Sequence, residues 1–369
     1  MTIKFQILHQ SSKSKARLGL LHTKHGIIET PAFIPVGTNG CVKCLDPLLV
    51  NSMDIPLMFC NTFHLLLQPG VNIIESHGGI HKFINRPLPI ITDSGGFQIL
   101  SLLLNKKKMQ IRTNVSNEIK KNLILENGAL FKSYKTGKNI LLSPESSIQA
   151  QKKIGADIIL CFDELNPFYV TKDDILHSFE RTHRWEKRSL NEHLKNPLHQ
   201  GLFAIIHGGL NIDLRKRSCL YLRHLAFDGF CIGGNVGNNY NQTADLIKNI
   251  CDILPKDRPI HLLGIGDMPS IKACIPLGID TFDSSYPTKA ARHGIFFQLN
   301  ASHIDLRKSL RANPEYCKCH SCSNFSFDYV HHLFKAKEVT ALSLISSHNL
   351  HTMSSLMKHY KSLIAKDLI

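Results

Sequence analysis

Eight short, almost wholly apolar runs recur along the chain, and each stops at a glycine, a polar residue or an acid. They are IIETPAFIPVGT from Ile27, IPLMFCNTFHL from Ile55, LPIITDSGG from Leu88 and ADIILCFDE from Ala156. LFAIIHGG from Leu202, GFCIGGN from Gly229, IHLLGIGD from Ile260 and IDTFDSS from Ile279 complete the set. Most of the segments between them read as helices. SPESSIQAQKKIG is the clearest: Ser143 suits an N-cap, Pro144 the first turn and Gly155 the stop. Strands alternating with helices imply parallel pairing, because a parallel neighbour needs a crossover. Near-continuous apolar character implies burial on both faces. Eight such strands predict an α/β chain closed as a (β/α)8 TIM barrel. A doubly wound open sheet is the rival, and periodicity alone does not separate the two.

In such a barrel the chemistry sits at the C-terminal ends of the strands. Asp93, Asp163, His207, Gly234, Gly266 and Asp283 all fall at such ends. One acid there is often a helix cap. Six polar or glycine endings around one rim predict a site. Asp93 stands out, since a bare carboxylate after ITD is costly to bury unless it is paired or used.

The 369 residues suffice for a large core. The expected division is a barrel domain over 1–300 and a metal-binding subdomain over 301–369. The stretch from Asn105 to Lys138 breaks the alternation. It carries NKKK and IKKN, then GALFKSYKTGKNILL, which reads as a hairpin turning at Thr136 and Gly137. We take about 105–140 as an insertion after the third strand. The basic face of RTHRWEKR reads as solvated surface.

Charge narrows the partner. There are 44 basic residues against 29 acidic ones, a net of +15, which favours a polyanion such as nucleic acid. No apolar run is long enough to span a bilayer, and no secretory signal is visible, so no membrane role is expected. Eleven cysteines without a framework pattern suit a reducing cytoplasm. Cys317, Cys319 and Cys322, in CKCHSC, are spaced for tetrahedral zinc. The fourth ligand is open among His320, His331, His332, His348 and His351. CVKC at Cys41 and Cys44 is a lone pair and carries little.

Together the motifs resemble one family, the tRNA-guanine transglycosylases or queuine tRNA-ribosyltransferases. The matching stretches are ETPAFIPVGT, NTFHL, TDSGGFQ, LSPESSIQAQ, FDE, GIDTFDSSYPT and ARHG, then CKCHSC, NFSFDYVHHLFKAKE and HNLH. They run in order from near residue 29 to near residue 351. The resemblance implies a barrel with a zinc-bearing C-terminal insertion, the fourth zinc ligand being His348. It implies exchange of guanine at the wobble position of tRNAs with G-U-N anticodons for a 7-substituted 7-deazaguanine, queuine or the aminomethyl base. A cytoplasmic homodimer is the expectation carried over.

The resemblance also assigns roles. Asp283 is the expected nucleophile on the ribose anomeric carbon, holding the tRNA covalently. Asp93 is the expected proton donor and acceptor for the two bases, a role that burial would suit. Asp280, three residues before Asp283, is the acid most easily confused with it. Asp163 is expected to take the guanine N–H groups, a pairing that a carboxylate makes twice over. The TDSGGFQ stretch, Ser94, Gly95, Gly96 and Phe97, lines the base, with Phe97 as the stacking ring; Phe63 reads as core. Gly233 and Gly234 allow close approach of backbone to base. Anticodon contacts are expected at Gly264, Ile265, Gly266, Asp267, Met268, Pro269 and Ser270. A second set is expected at Thr288, Lys289, Ala290, Ala291 and Arg292, where Lys289 and Arg292 are natural donors.

The chain departs from the family pattern in places. His207 stands where glutamine is usual, and a neutral imidazole still donates one hydrogen bond. Leu165 follows FDE where bacterial members often have cysteine. GGNVGNN replaces GGLSVGE or GGLAVGE, so that loop has no acid. Either Gly237 and Asn239, or Val236 and Asn238, stand for the valine and glutamate. Loss of the acid favours queuine as the incoming base. Rival readings are a non-catalytic tRNA-binding relative, a barrel metallohydrolase and an archaeosine-type enzyme. The first lacks the nucleophile, the second needs a histidine pair after the first strand, and the third carries extra C-terminal domains.

Overall fold

The structure is a computed structural model; it describes residues 3–99, 124–165, 171–308, 314 and 317–369. Three antiparallel strands come first: β1 (Lys4–Gln10), β2 (Arg17–Thr23) and β3 (Gly26–Thr30). The barrel begins with β4 (Ala32–Gly37), β5 (Met58–Cys60) and β6 (Ile90–Thr92). A small antiparallel sheet follows, with β7 (Ile124–Leu125), β8 (Gly128–Lys132) and β9 (Asn139–Leu142). The barrel resumes with β10 (Ile158–Leu160), β11 (Gly201–Ile206), β12 (Gly229–Ile232), β13 (Ile260–Leu262) and β14 (Thr281–Ser284). Every neighbouring pair is parallel, β6 pairs with β10 and β14 returns to β4, so the sheet closes. The closed barrel, not the open sheet, is the fold.

All eight apolar runs supply barrel strands. The first run straddles two sheets: Ile27–Thr30 belongs to β3 and Ala32–Gly37 to β4, with Pro31 between them. Proline has no N–H to give a ladder and separates the two strands. Both faces of the barrel strands are buried, as continuous runs require. On β11, Phe203 and Ile205 point into the barrel while Leu202, Ala204 and Ile206 pack under the helices. The interior cluster is closed from below by Ile3, just before β1, and by Leu21 and Ile28 of β2 and β3.

A repeat unseen in the sequence lies at the bottom of the barrel. Asp157, Asp228 and Asp280 stand just before β10, β12 and β14. Each gives its N–H to a carbonyl of the preceding barrel strand, that of Ile90, Leu202 or Ile260, at 2.9 Å. Each carboxylate then accepts the N–H of that same residue, at 3.0, 3.0 and 2.7 Å. Asp280 is also paired with the buried Arg17, at 2.6 Å. Asp280 is therefore spent on the fold, which removes it as a rival to Asp283.

The helix Pro144–Ile154 forms as expected, with a Ser143 and Ser146 capping box, Pro144 in the first turn and Gly155 left-handed at φ 79°. The expected insertion after the third barrel strand is the β7–β9 sheet, and its β8–β9 hairpin turns through 133–138. The NKKK and IKKN runs lie outside the described residues. RTHRWEKR is not a solvated face. Within the helix Lys172–Lys195, Arg184 grips Glu126 at 2.7 Å, Arg188 grips Glu145 at 2.7 Å, and Trp185 Nε1 donates to the Glu126 carbonyl at 2.8 Å. These contacts bolt the inserted sheet to the barrel.

Beyond the barrel come the antiparallel pair β15 (Ile295–Phe297) and β16 (His303–Asp305), and the helices His320–Asn324, Phe327–Lys335 and Val339–Ala365. The last helix serves two cores. Leu350, Met353, Leu356 and Met357 join the barrel's outer layer; Ala341, Leu344 and Ile345 pack with Phe296, Val330 and Leu333. No described helix is long and apolar enough to cross a membrane.

Candidate active site and metal centre

Asp93 follows β6 directly and is met by the NTFHL stretch at the end of β5. Its Oδ1 accepts the Thr62 N–H at 2.7 Å. Its Oδ2 accepts the Asn61 and Gln98 side-chain amides at 2.7 and 3.0 Å. These donors favour the carboxylate, yet burial outweighs them and Asp163 adds repulsion, so the Asp93 carboxyl is lifted to about 6.

Asp283 sits within β14, buried at the opposite end of the strand from Asp280. Its Oδ1 accepts the Gly264 N–H and faces His261 Nε2, both at 3.0 Å. Oδ2 has no partner among the described residues. His261 was not anticipated from the sequence. Its Nδ1 meets the Thr281 hydroxyl at 2.8 Å, so the ring is held at both nitrogens. The signal was one polar residue inside the apolar run IHLL.

Asp163 follows β10. Its Oδ1 accepts the Ser94 hydroxyl at 3.0 Å, and its Oδ2 lies 3.1 Å from His207 Nε2. A Cβ on Gly96 would lie 2.5 Å from the Asp163 carbonyl oxygen, so only glycine lets these loops meet. Neighbouring helices fix the loops through buried side chains. Ser147 donates to the Ser94 carbonyl at 2.7 Å, and Gln151 bonds both backbone groups of Leu160 and the Thr92 hydroxyl. On the helix Lys172–Lys195, Thr182 and Ser189 accept the N–H groups of Glu164 and Phe162 at 3.1 and 3.2 Å.

His207 is buried at the end of β11, with its N–H on Ser218 Oγ at 3.2 Å. The same hydroxyl meets His183, whose imidazole burial holds neutral, down at about 3. Gly233 and Gly234 follow β12, and Gly234 is left-handed at φ 73°. Phe97, 64% exposed, stands free beside Asp93 and Gly96, whereas Phe63 packs against Phe131 in the core. In the following loop Val236 is buried, while Asn239 is exposed and caps the helix Tyr240–Ile250 through its side-chain oxygen.

The expected RNA-contacting segments are only partly outward. In the first, Gly264 and Pro269 are exposed and Ile265 and Asp267 half-buried; Gly266, Met268 and Ser270 are inside. Asp267 caps the helix Met268–Cys274. In the second, Lys289 is exposed and Arg292 half-buried, while Thr288, Ala290 and Ala291 pack inward.

Cys317, Cys319, Cys322 and His348 bring their ligand atoms within 4.8 Å of one another. His348 Nδ1 lies 3.3 Å from Cys322 Sγ and 3.6 Å from Cys319 Sγ. Its Nε2 donates to the Phe297 carbonyl at 2.8 Å, which fixes the tautomer and leaves Nδ1 for a metal. Three thiols and such an imidazole fit one closed tetrahedral ion. A second group differs. His25 and His81 meet the two oxygens of Asp157 at 2.8 and 3.0 Å. Their rings stack 3.5 Å apart at 15°, so their lone pairs run parallel instead of converging on one ion. We read this group as a hydrogen-bonded carboxylate.

A closed parallel barrel with three carboxylates on its rim, beside a Cys3His group, defines a barrel enzyme working through carboxylates with a metal-braced C-terminal segment. The sequence profile described as Queuine tRNA-ribosyltransferase matches residues 11–369. The chain is 50% identical over 374 residues to the Queuine tRNA-ribosyltransferase of Protochlamydia amoebophila (strain UWE25), covering 99% of this chain and 96% of that one. It is 48% identical over 378 residues to that of Chlamydia caviae and 46% over 381 residues to that of Chlamydia pneumoniae, with full coverage of both chains in each case. The chain belongs to the queuine tRNA-ribosyltransferase family and is a pentosyltransferase.

Proposed function

We propose that the enzyme exchanges guanine at the wobble position of tRNAs with G-U-N anticodons for a 7-deazaguanine base, by double displacement. The carrying observation is the division of labour between two rim carboxylates. Asp283 has one oxygen fixed by two contacts and the other without a partner among the described residues. Asp93 has a carboxyl lifted to about 6, suited to giving and taking a proton near neutrality.

Asp283 Oδ2 attacks the ribose anomeric carbon as the bond to guanine breaks. Asp93 gives its proton to the departing base. The incoming base then loses its N–H proton to Asp93, attacks the same carbon and releases Asp283. One glycosidic bond replaces another, so no nucleotide hydrolysis is needed. Asp163, with Ser94 and His207 behind it, takes the N–H groups of the base; Gly233 and Gly234 supply backbone donors, and Phe97 stacks. Exposed Lys289, half-buried Arg292 and the loop from Gly264 to Ser270 contact the anticodon, and the net charge of +15 draws in the tRNA.

In this reading Cys317, Cys319, Cys322 and His348 hold one structural Zn2+. The enzyme works in the cytoplasm as a homodimer. The loop Asn235 to Asn239 has no acid, and with Gly237 read at the position of the bacterial valine it leaves room for a larger substituent, which favours queuine as the incoming base.

The test loads a G-U-N tRNA with labelled guanine and follows its release with queuine, with the aminomethyl base, and with neither. Release driven by queuine supports the reading. Release with neither base, or with none of the three while the tRNA still binds, overturns it. A queuine KM far above that of the aminomethyl base overturns the preference.

A further inference from the structure

Arg215, on the helix Ile212–Leu222, is fully buried and meets no carboxylate among the described residues. Uncompensated burial of a guanidinium is costly, so its contacts need an account. All of them go to backbone carbonyls. Nε donates to Gly209 O at 2.9 Å and Nη1 to Ile206 O. Nη2 donates to Gly233 O and Asn235 O at 2.8 and 3.0 Å. One side chain thus ties the loop after β11, which carries His207, to the loop after β12, which carries Gly233 and Gly234. Burial lowers its pKa to about 10, which leaves it charged at neutral pH.

Peptide planarity gives this grip a direction. The C=O of one residue and the N–H of the next point oppositely across a trans peptide. With the Gly233 carbonyl drawn to Arg215, the Gly234 N–H is turned away from it, and that N–H has no partner among the described residues. Leu165, close in sequence to Asp163, and Arg215 Nη2 lie 3.6 and 4.0 Å from where a Gly234 Cβ would be.

We propose that Arg215 is a positioning residue for base selection: its grip on Gly233 O holds the Gly234 N–H outward as a donor for a base carbonyl. The proposal rests on the base-exchange reading above. It concerns orientation, so it predicts a loss of discrimination more than a loss of rate.

The test uses Arg215→Lys in the full chain, with guanine competing against 6-thioguanine, which keeps the N1–H and the 2-amino group but replaces the carbonyl oxygen with a weakly accepting sulfur. The wild-type enzyme is expected to favour guanine by about tenfold or more, the worth of one well-placed hydrogen bond. In Arg215→Lys the ratio is expected to fall to about twofold, with the tRNA KM unchanged. A folded variant that keeps the wild-type ratio overturns the proposal while the exchange reading stands. Wild-type enzyme that exchanges no guanine overturns both. A second measurement needs no variant. In wild-type protein labelled with 15N-glycine, the Gly234 amide should shift with guanine and shift markedly less with 6-thioguanine. An unmoved Gly234 amide at saturating guanine overturns the proposal.

Discussion

His207 Nε2 lies 3.1 Å from Asp163 Oδ2, while Ser94 holds Oδ1 at 3.0 Å. The carboxylate proposed to hold the base is thus already engaged at both oxygens, which fixes its orientation. His207→Ala removes one of the two contacts and should raise the KM for guanine by roughly three- to tenfold, whereas His207→Gln, which can still donate an N–H, should stay within about twofold of wild type. Equal KM values in the wild type and His207→Ala would remove His207 from base binding.

Asp93 is held in a form that costs stability. Its folded pKa, about 6, is above the ordinary value of 3.8, so the folded state retains a proton that the unfolded chain releases. Stability therefore falls as pH rises from about 4 to 6 and stays lower above that. Asp93→Asn keeps the shape without the charge. It should stabilise the protein at neutral pH by ~1–3 kcal/mol, and leave it unchanged near pH 3. The same variant should lose about 100-fold or more in single-turnover guanine release while still binding tRNA. Urea titrations at the two pH values check the first claim, and a quench assay the second.

The Asp157 cluster acts in the opposite sense. Burial alone would lift this carboxyl, but His81, the Ile90 amide and His25 outweigh it and hold it down at about 2. A depressed folded pKa gives stability that is present above about 4 and lost as pH falls towards 2. His81→Ala should cost ~1–3 kcal/mol at pH 7 and proportionately less near pH 2. A cost that does not shrink on acidification would show that packing, not the carboxylate, sets it.

Removing the metal should loosen one region. Cys317, Cys319 and Cys322 are joined to His348 across a segment with a small core of its own. Chelation is expected to raise hydrogen exchange in the helices His320–Asn324 and Phe327–Lys335. The end of the helix Val339–Ala365, anchored by Leu356, Met357 and Ile364 in the barrel's outer layer, should stay protected. Cys319→Ser should reproduce the pattern. One metal ion per chain, with zinc as its identity, is the expected elemental result.

The barrel was legible because buried parallel strands leave continuous apolar runs, and all eight survived translation into structure. The rim placement of Asp93, Asp163 and Asp283 was legible because acids ending such runs are costly without a partner. What escaped notice was partnership. His261 and Arg215 sit in stretches whose composition does not reveal what they touch, one a carboxylate and the other four carbonyls. RTHRWEKR was misread for the same reason: a basic helix face looks the same whether it meets water or Glu126 and Glu145. The paired backbone and carboxylate contacts of Asp157, Asp228 and Asp280 are a repeat of geometry, and the residues around them differ.

The strand β14 and the residue before it hold two carboxylates three residues apart in opposite settings. Asp280 locks the floor of the barrel with Arg17, and Asp283 faces the rim; they are separated by roughly 10 Å of extended chain. With the floor tied by three such aspartates, the upper loops are relieved of holding the cylinder closed. Drift in those loops, as in Asn235 to Asn239, can retune what the enzyme accepts while the foundation that folds it is left untouched.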